Sequence, residues 1–371
     1  MFLRLAVFVV FAFALPALAQ PQQVFRADNL QSLARPPIPS DPLELVTSDA
    51  QTVQTPEQRL AATSLLEKAH DLSNVRAQAY DLKTSFTAYG SASSDGNWTL
   101  EDISPGRNLY RWTAQGPGYS AINLYRERLL YSNNTQSAIP LRLTQVRQAI
   151  FFIYPPTGPY MSLRTANGQL NGVTVQCVLA GQGFGGRTFS GARNWEESEY
   201  CIDPQSGLLA TYSPAPGMYV HYDYSNAIHF HNKIIPGAFT ISEAGRTIIE
   251  AKTESVTNPG SVNQSLFETA GLNAVGVGSM AAQQPSRVHA NGNRMANGSG
   301  QAALDVVVVI GVTQTDGHLN EAEILASSNP NFNQTALDRA KNWQAFNQTQ
   351  SGTTPQSQEV IFTYEFVRPS T

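Results

Sequence analysis

The stretch Asp305–Trp343, DVVVVIGVTQTDGHLNEAEILASSNPNFNQTALDRAKNW, changes its hydrophobic period twice. Val306 to Val312 is a nearly unbroken apolar run, the pattern of a well-buried strand. Thr315-Asp316-Gly317 is a hairpin turn in which Gly317 can take positive φ. In the return strand Ala322, Ile324 and Ala326 fall on one face, and Glu321 and Glu323 on the other. Asn331 or Asn333 can then cap a helix whose apolar stripe is Ala336, Leu337, Ala340, Trp343 and Phe346. Past "QSGTTPQ", Val360, Phe362, Tyr364 and Phe366 alternate with polar residues in a closing strand. The order is β-β-α-β, a small sheet with one helix across it.

Working outward, 273–300 is Gly, Ala, Asn and Ser without periodicity and reads as a linker. Ahead of it, from Val75 onward, lie many short strand-like runs broken by turn signals such as Asp95-Gly96, Pro105-Gly106 and Asn133-Asn134. They predict an antiparallel sheet or half-barrel, with a helix inside 139–152. A first helix is announced by Thr55-Pro56-Glu57-Gln58, which offers a capping hydroxyl, Pro at the first position and Gln at the third. Ala62, Leu65, Leu66, Ala69 and Leu72 follow at helical spacing. Residues 20–54 read as a flexible lead-in. The fold class is α+β: an N-terminal helix and antiparallel half-barrel over 55–272, a linker over 273–300, and the β-β-α-β unit over 301–371.

Residues 1–19 carry Arg4, an apolar run from Leu5 to Leu15, and Ala17-Leu18-Ala19 before Gln20, the pattern of a cleaved secretory signal. The run is short for a membrane span, the alternative being an uncleaved anchor. The expectation is a periplasmic protein whose mature chain has no transmembrane segment. In an oxidising compartment the two cysteines, Cys177 and Cys201, both in strand-like text, favour a cross-strand disulfide over two buried thiols.

With 371 residues, a net charge of −4 and scattered Lys and Arg, the chain lacks the basic patch of a nucleic-acid binder. No serine sits in a GxSxG elbow, and the pairs Glu101-Asp102 and Glu196-Glu197 point to opposite faces of strands, as solvated charge. Gly181-x-Gly183-x-x-Gly186 lacks the helix that a dinucleotide site needs. His221, His229 and His231 could gather on a strand face, but surface histidines among tyrosines explain them better. No catalytic residue, metal or cofactor is expected, and the protein reads as non-enzymatic. Trp98, Tyr110, Trp112 and Tyr125, on the early strands, could pave a ligand-binding sheet face, ordinary sheet packing being the alternative.

Two family resemblances attach to these motifs. Residues 301–368 resemble the C-terminal domain of TonB-family proteins, through Asp316-Gly317, Ala336-Leu337, Trp343 and Phe366. The Pro-rich entry, the long spacer and the membrane anchor of an energy transducer are absent from that pattern. Residues 55–255 resemble the lipoprotein carriers LolA and LolB, through the opening helix, the half-barrel and the "DPQSGLL" hairpin at 203–209. The first resemblance implies a transport-associated protein that contacts an envelope partner, such as an outer-membrane transporter, through its C-terminal unit. The second implies a carrier that holds a lipid or acylated ligand on the concave sheet face.

Overall fold

In the computed structural model, described residues are 38, 50–90, 94–106, 109–135, 137, 139–151, 154, 161–182, 190–191, 193–260, 264–277, 286–291, 304–313, 317–343 and 359–367. The expected signal over residues 1–19, the stretch 183–186, Thr315, Asp316 and Phe346 lie outside them.

Helix α1 (Pro56–Ser73) starts where the sequence places it. The Thr55 hydroxyl accepts from the Gln58 amide, and the Gln58 side chain accepts from the Thr55 amide, a reciprocal cap. Its buried face is Ala62, Leu66 and Ala69. The strands form an open antiparallel sheet of fifteen members among the described residues. One edge is Asn273–Val277, followed by Leu129–Ser132, Tyr119–Arg126, Leu109–Gly116, Gly96–Gly106 and Tyr80–Ala88. The order continues through Arg246–Thr257, Ala238–Glu243, Met218–Asp223, Leu209–Ala215 and Ser198–Ile202. Val173–Gln182, Met161–Leu170, Ala50–Thr52 and Ser190–Gly191 finish it. The two edges do not pair, so this is a half-barrel and not a closed one. Alternation sets its inner face: Tyr80, Leu82, Thr84, Phe86 and Ala88 are buried along one strand while Lys83 is exposed.

Helix α2 (Leu141–Phe151) has every residue from Leu141 to Ala149 buried. It begins after Pro140, whose carbonyl accepts the Thr144 amide. An element buried on all sides is ordinarily apolar all round, yet this one carries Arg142, Gln145, Arg147 and Gln148, so each needs a partner inside the molecule.

The C-terminal β-β-α-β order is as expected: strands Leu304–Thr313 and Leu319–Ser327, helix α3 (Asn333–Lys341), and strand Glu359–Val367. Gly317 at the turn has φ +85°. Trp343 meets Phe362 edge-on at 5.2 Å, closing the helix onto the sheet. The expected cap at Asn331 or Asn333 moves upstream. The Asn329 side chain accepts from the Asn331 amide and starts a single 3-10 turn that leads into α3.

The structure corrects the linker and the lead-in. Asn273–Val277 pairs with Leu129–Ser132, and Ser286–Asn291 adds a parallel strand beside Glu359–Val367. Both lie in the 273–300 stretch, where low periodicity concealed main-chain pairing. Ala50–Thr52, in the lead-in, pairs with Met161–Leu170.

The two parts are not separate bodies joined by a tether. On the small sheet, Val307, Val309, Val360, Phe362 and Phe366 pack with α3. Val306, Val308, Ile310, Leu325 and Ile361 turn the other way, into the same apolar core as Trp98, Trp112, Leu143, Val146, Tyr212 and Phe239. The small sheet and α2 therefore fill the concavity of the large sheet.

Candidate functional site

The concavity is the natural place for a site, and three sets of side chains build it: aromatics on the large sheet, polar residues on α2, and one face of the C-terminal unit. The four expected ligand residues all point inward, and all are buried. The structure divides them. Trp98 stacks on Phe86 at 5.6 Å and, with Trp112, joins the large core. Its indole N–H donates to the Ser94 carbonyl at 2.8 Å, which satisfies the one polar atom of a fully buried ring. Its ring also lies over Gly116, where a Cβ would strike it, so only glycine allows the strand to pass so close. Tyr110 and Tyr125 face each other across neighbouring strands, 6.4 Å apart, in a second apolar cluster.

The polar residues of α2 are held by buried acids. The Arg147 guanidinium sits 4.2 Å from the centre of the Trp112 ring and donates to Asp102 at 3.3 Å. Asp102 also accepts from the Tyr80 hydroxyl at 2.7 Å. One turn earlier, Arg142 bridges the two parts of the molecule. Its Nη1 donates to Glu243, on the large sheet, at 2.8 Å. Its Nη2 donates to both oxygens of Glu323, on the C-terminal unit, at 2.9 and 3.0 Å. The Gln145 amide donates to the second Glu243 oxygen at 2.6 Å. One guanidinium thus serves two carboxylates, one from each terminal nitrogen, which suits arginine in a partly desolvated place.

This cluster is short of cations. Glu359, fully buried on the closing strand, interacts with both Glu243 and Arg142. Burial pushes the Glu243 carboxyl up to about 7, with Arg142 opposing and Glu323 reinforcing the rise. Burial, and then Glu243, push Glu359 well above the usual carboxylate range. One guanidinium faces three carboxyl groups, so the junction holds protons that isolated glutamates would release near neutral pH.

Two further contacts tie the C-terminal unit down. Gly217, at φ +84°, packs against the backbone carbonyl of Leu325, where a Cβ would collide with it. Arg287 donates to the Glu196 carbonyl at 2.8 Å, to the Ser198 hydroxyl at 2.6 Å, and to the Pro214 carbonyl.

Space inside is scarce among the described residues. A cavity of about 20 Å³ lies between the ends of α1 and α2, lined by Val75, Leu82, Tyr222 and Phe239. That is room for one water and not for an acyl chain. A cleft of about 630 Å³ is lined by inward-facing Phe86, Trp98 and Ala251 together with outward-facing Ser85, Thr87, Asn97 and Thr99. Its walls mix polar and apolar side chains and include Trp98, one of the expected ligand residues.

Three expectations need correction or placement. Glu101 and Asp102 do point to opposite faces of the strand Gly96–Gly106, but Glu196 and Glu197 precede the strand Ser198–Ile202 instead of lying on it, and in each pair one acid is buried. Glu101 meets Lys83 at 3.0 Å at the surface, whereas Asp102 is buried. Glu197 is also buried, accepting from Arg164 Nη1 at 3.2 and 3.0 Å and from the Asn194 amide at 2.7 Å. Strand alternation turns Asp102 inward, the turn before Ser198–Ile202 does the same for Glu197, and each buried acid meets an arginine. The histidines do not converge: His221 bonds Thr211 at 3.0 Å, while His231 follows the strand Ile228–Phe230 at φ +54° and bonds Asn258 at 2.8 Å. Cys177 and Cys201 are directly opposed on neighbouring strands and form a disulfide, as expected.

No protein-family model matches this chain, and no curated protein matches it. Solved structures do. A LolA superfamily protein from Nitrosomonas europaea matches with a TM-score of 0.38 at 10% identity, over 56% of this chain and 97% of that one. A putative outer membrane lipoprotein-sorting protein domain from Vibrio parahaemolyticus matches with a TM-score of 0.34 at 8% identity, over 56% and 98%. MucB, in complex with MucA(peri), matches with a TM-score of 0.26 at 12% identity, over 58% of this chain and 62% of that one. The first two agree with the LolA-like resemblance of the large part, and none of the three is a TonB-family protein. At TM-scores this low the likeness carries no functional argument, and the function below rests on the chain's own geometry.

Proposed function

We propose that this chain is a non-enzymatic, periplasmic envelope protein that holds a lipid or acylated ligand on the inner face of its large sheet. The observation that carries the reading is that face itself. Phe86, Trp98, Leu100, Trp112, Ala114 and Phe239 make a continuous apolar and aromatic lining on an open sheet. Its covers, α2 and the C-terminal unit, are separate elements and not further strands of the barrel. Apolar surface of that extent must be covered by something, at about 25 cal/mol per Å². An acyl chain supplies the same surface as the present covers.

Partner contact through a TonB-like C-terminal unit is the weaker reading. Adding a strand to a partner needs a free sheet edge. Here Leu325, on the outer strand of the small sheet, abuts Gly217, and Arg287 of the opposite outer strand is held by the large sheet.

The test is a titration of the full chain with cis-parinaric acid, a fluorescent acyl chain, read by energy transfer from the buried tryptophans. The reading predicts saturable binding that unlabelled fatty acid displaces. A response that grows linearly with the probe and resists displacement would refute it.

A further inference from the structure

The C-terminal unit occupies the surface that the proposed ligand would use, and it does so with two kinds of group. Val306, Val308, Ile310 and Ile361 supply the apolar part, on the face turned away from α3. Glu323 supplies the charged part: a carboxylate whose two oxygens both accept from Arg142 Nη2, its side chain 24% exposed while that of Arg142 is 0% exposed. An apolar strip ending in a carboxylate near the surface is the outline of an anionic lipid. From this match we infer that the ligand is an acyl lipid with a carboxylate or phosphate head group, read by Arg142. The C-terminal unit is then its resident competitor. This inference rests on the carrier reading above and names the ligand class and the gate of that site.

The physical chemistry supports an exchange better than a simple opening. An interface this apolar does not part on its own, because both faces would meet water. A lipid that enters covers the large-sheet face again, so only the face of the departing unit is left to be covered. At the charged end Arg142 keeps Glu243 and Gln145 through Nη1, and its Nη2 passes from Glu323 to the incoming head group. Guanidinium N–H groups donate to carboxylate and phosphate oxygens alike. A neutral lipid would leave Nη2 buried and unpaired, which selects against it. The interior cavity between α1 and α2 agrees with this arrangement: at about 20 Å³ it is too small for a chain while the unit is in place.

The experiment compares oleate with methyl oleate, the same chain without the charge, and with vesicles of dioleoylphosphatidylglycerol, on the full wild-type chain and on Glu323→Ala and Glu323→Gln. Binding is read by parinarate displacement, and docking of the unit by hydrogen exchange over 304–313, 319–327 and 359–367. Glu323 is partly exposed, so both variants should keep the fold, and exchange over 80–126 checks this. Oleate should raise exchange in the unit and leave 80–126 protected. Freeing Arg142 should tighten oleate binding about tenfold, because apparent affinity scales with the competent fraction. In the variants methyl oleate should bind about tenfold more weakly than oleate, the worth of one charge-assisted pair. Stronger displacement by oleate assigns the head group as carboxylate, and by the vesicles as phosphate. Oleate binding with the unit fully protected would overturn the competitor and leave the carrier reading standing. Equal binding of oleate and its ester would overturn the role of Arg142. A variant whose unit exchanges freely but binds no acyl probe would overturn the carrier reading itself.

Discussion

Replacing Arg142 by Met tests the junction on which this account depends, and the structure sets both the size and the pH dependence of the effect. Arg142 is buried and faces Glu243, Glu323 and Glu359. Burial raises Glu243 in the folded protein to about 7 from a reference of 4.5. The folded state thus keeps a proton that the unfolded chain releases. The stability linked to that proton is fully present below about 4.5 and is lost as the pH rises through about 7. Two and a half units at 1.36 kcal/mol each make this roughly 3 kcal/mol in the wild type. Glu359 is shifted in the same direction and adds to it. Without the guanidinium, the acids must either stay protonated or be buried with no countercharge. Removing one partner of a buried ion pair costs about 3–5 kcal/mol, the loss expected at pH 8. At pH 5 Glu243 and Glu359 hold protons, and the loss should shrink to about 1–2 kcal/mol, the scale of lost hydrogen bonds. Urea unfolding of both proteins at the two pH values, followed by tryptophan fluorescence, measures this. Equal losses at pH 5 and pH 8, or a loss at pH 8 below about 1 kcal/mol, would refute the reasoning.

Gly217→Ala forces a side chain into positive φ and against the Leu325 carbonyl. It should cost about 2–4 kcal/mol and raise hydrogen exchange over 319–327 before it affects 80–126; uniform exchange across both would contradict the packing described. Replacing Cys177 and Cys201 together by Ala opens a loop with a sequence separation of 24. The double variant should lose about 3 kcal/mol in urea unfolding, and an unchanged midpoint would show that the bridge contributes nothing.

What the sequence revealed is what local rules govern. Thr55, Pro56 and Gln58 mark α1 because capping acts within one turn. Alternation in Glu359–Val367 and the glycine turn at 317 define the C-terminal unit for the same reason. Packing between distant parts was not legible, with one exception. In Leu304–Thr313 every residue is buried, and valines fill both faces. A strand apolar on both sides needs a cover on each, and α3 covers only one. That run was the available signal that the unit does not stand alone. The charged junction had no such signal. Nothing in the short helical stretch marks Arg142 and Arg147 as buried, and Glu323 alternates with apolar neighbours as a solvated residue would. Its partner lies 181 residues away. Trp98, Tyr110, Trp112 and Tyr125 were legible as inward-facing, because period two fixes the face; what lies over that face depends on elements far along the chain.

The most direct test of the central claim is native mass spectrometry of the full chain, and of Glu323→Ala, purified from the export compartment without detergent. The account predicts an acyl-lipid-sized adduct that is lost on denaturation, at higher occupancy in the variant. A bare chain in both samples, with the C-terminal unit of the variant shown by hydrogen exchange to be released, would contradict it.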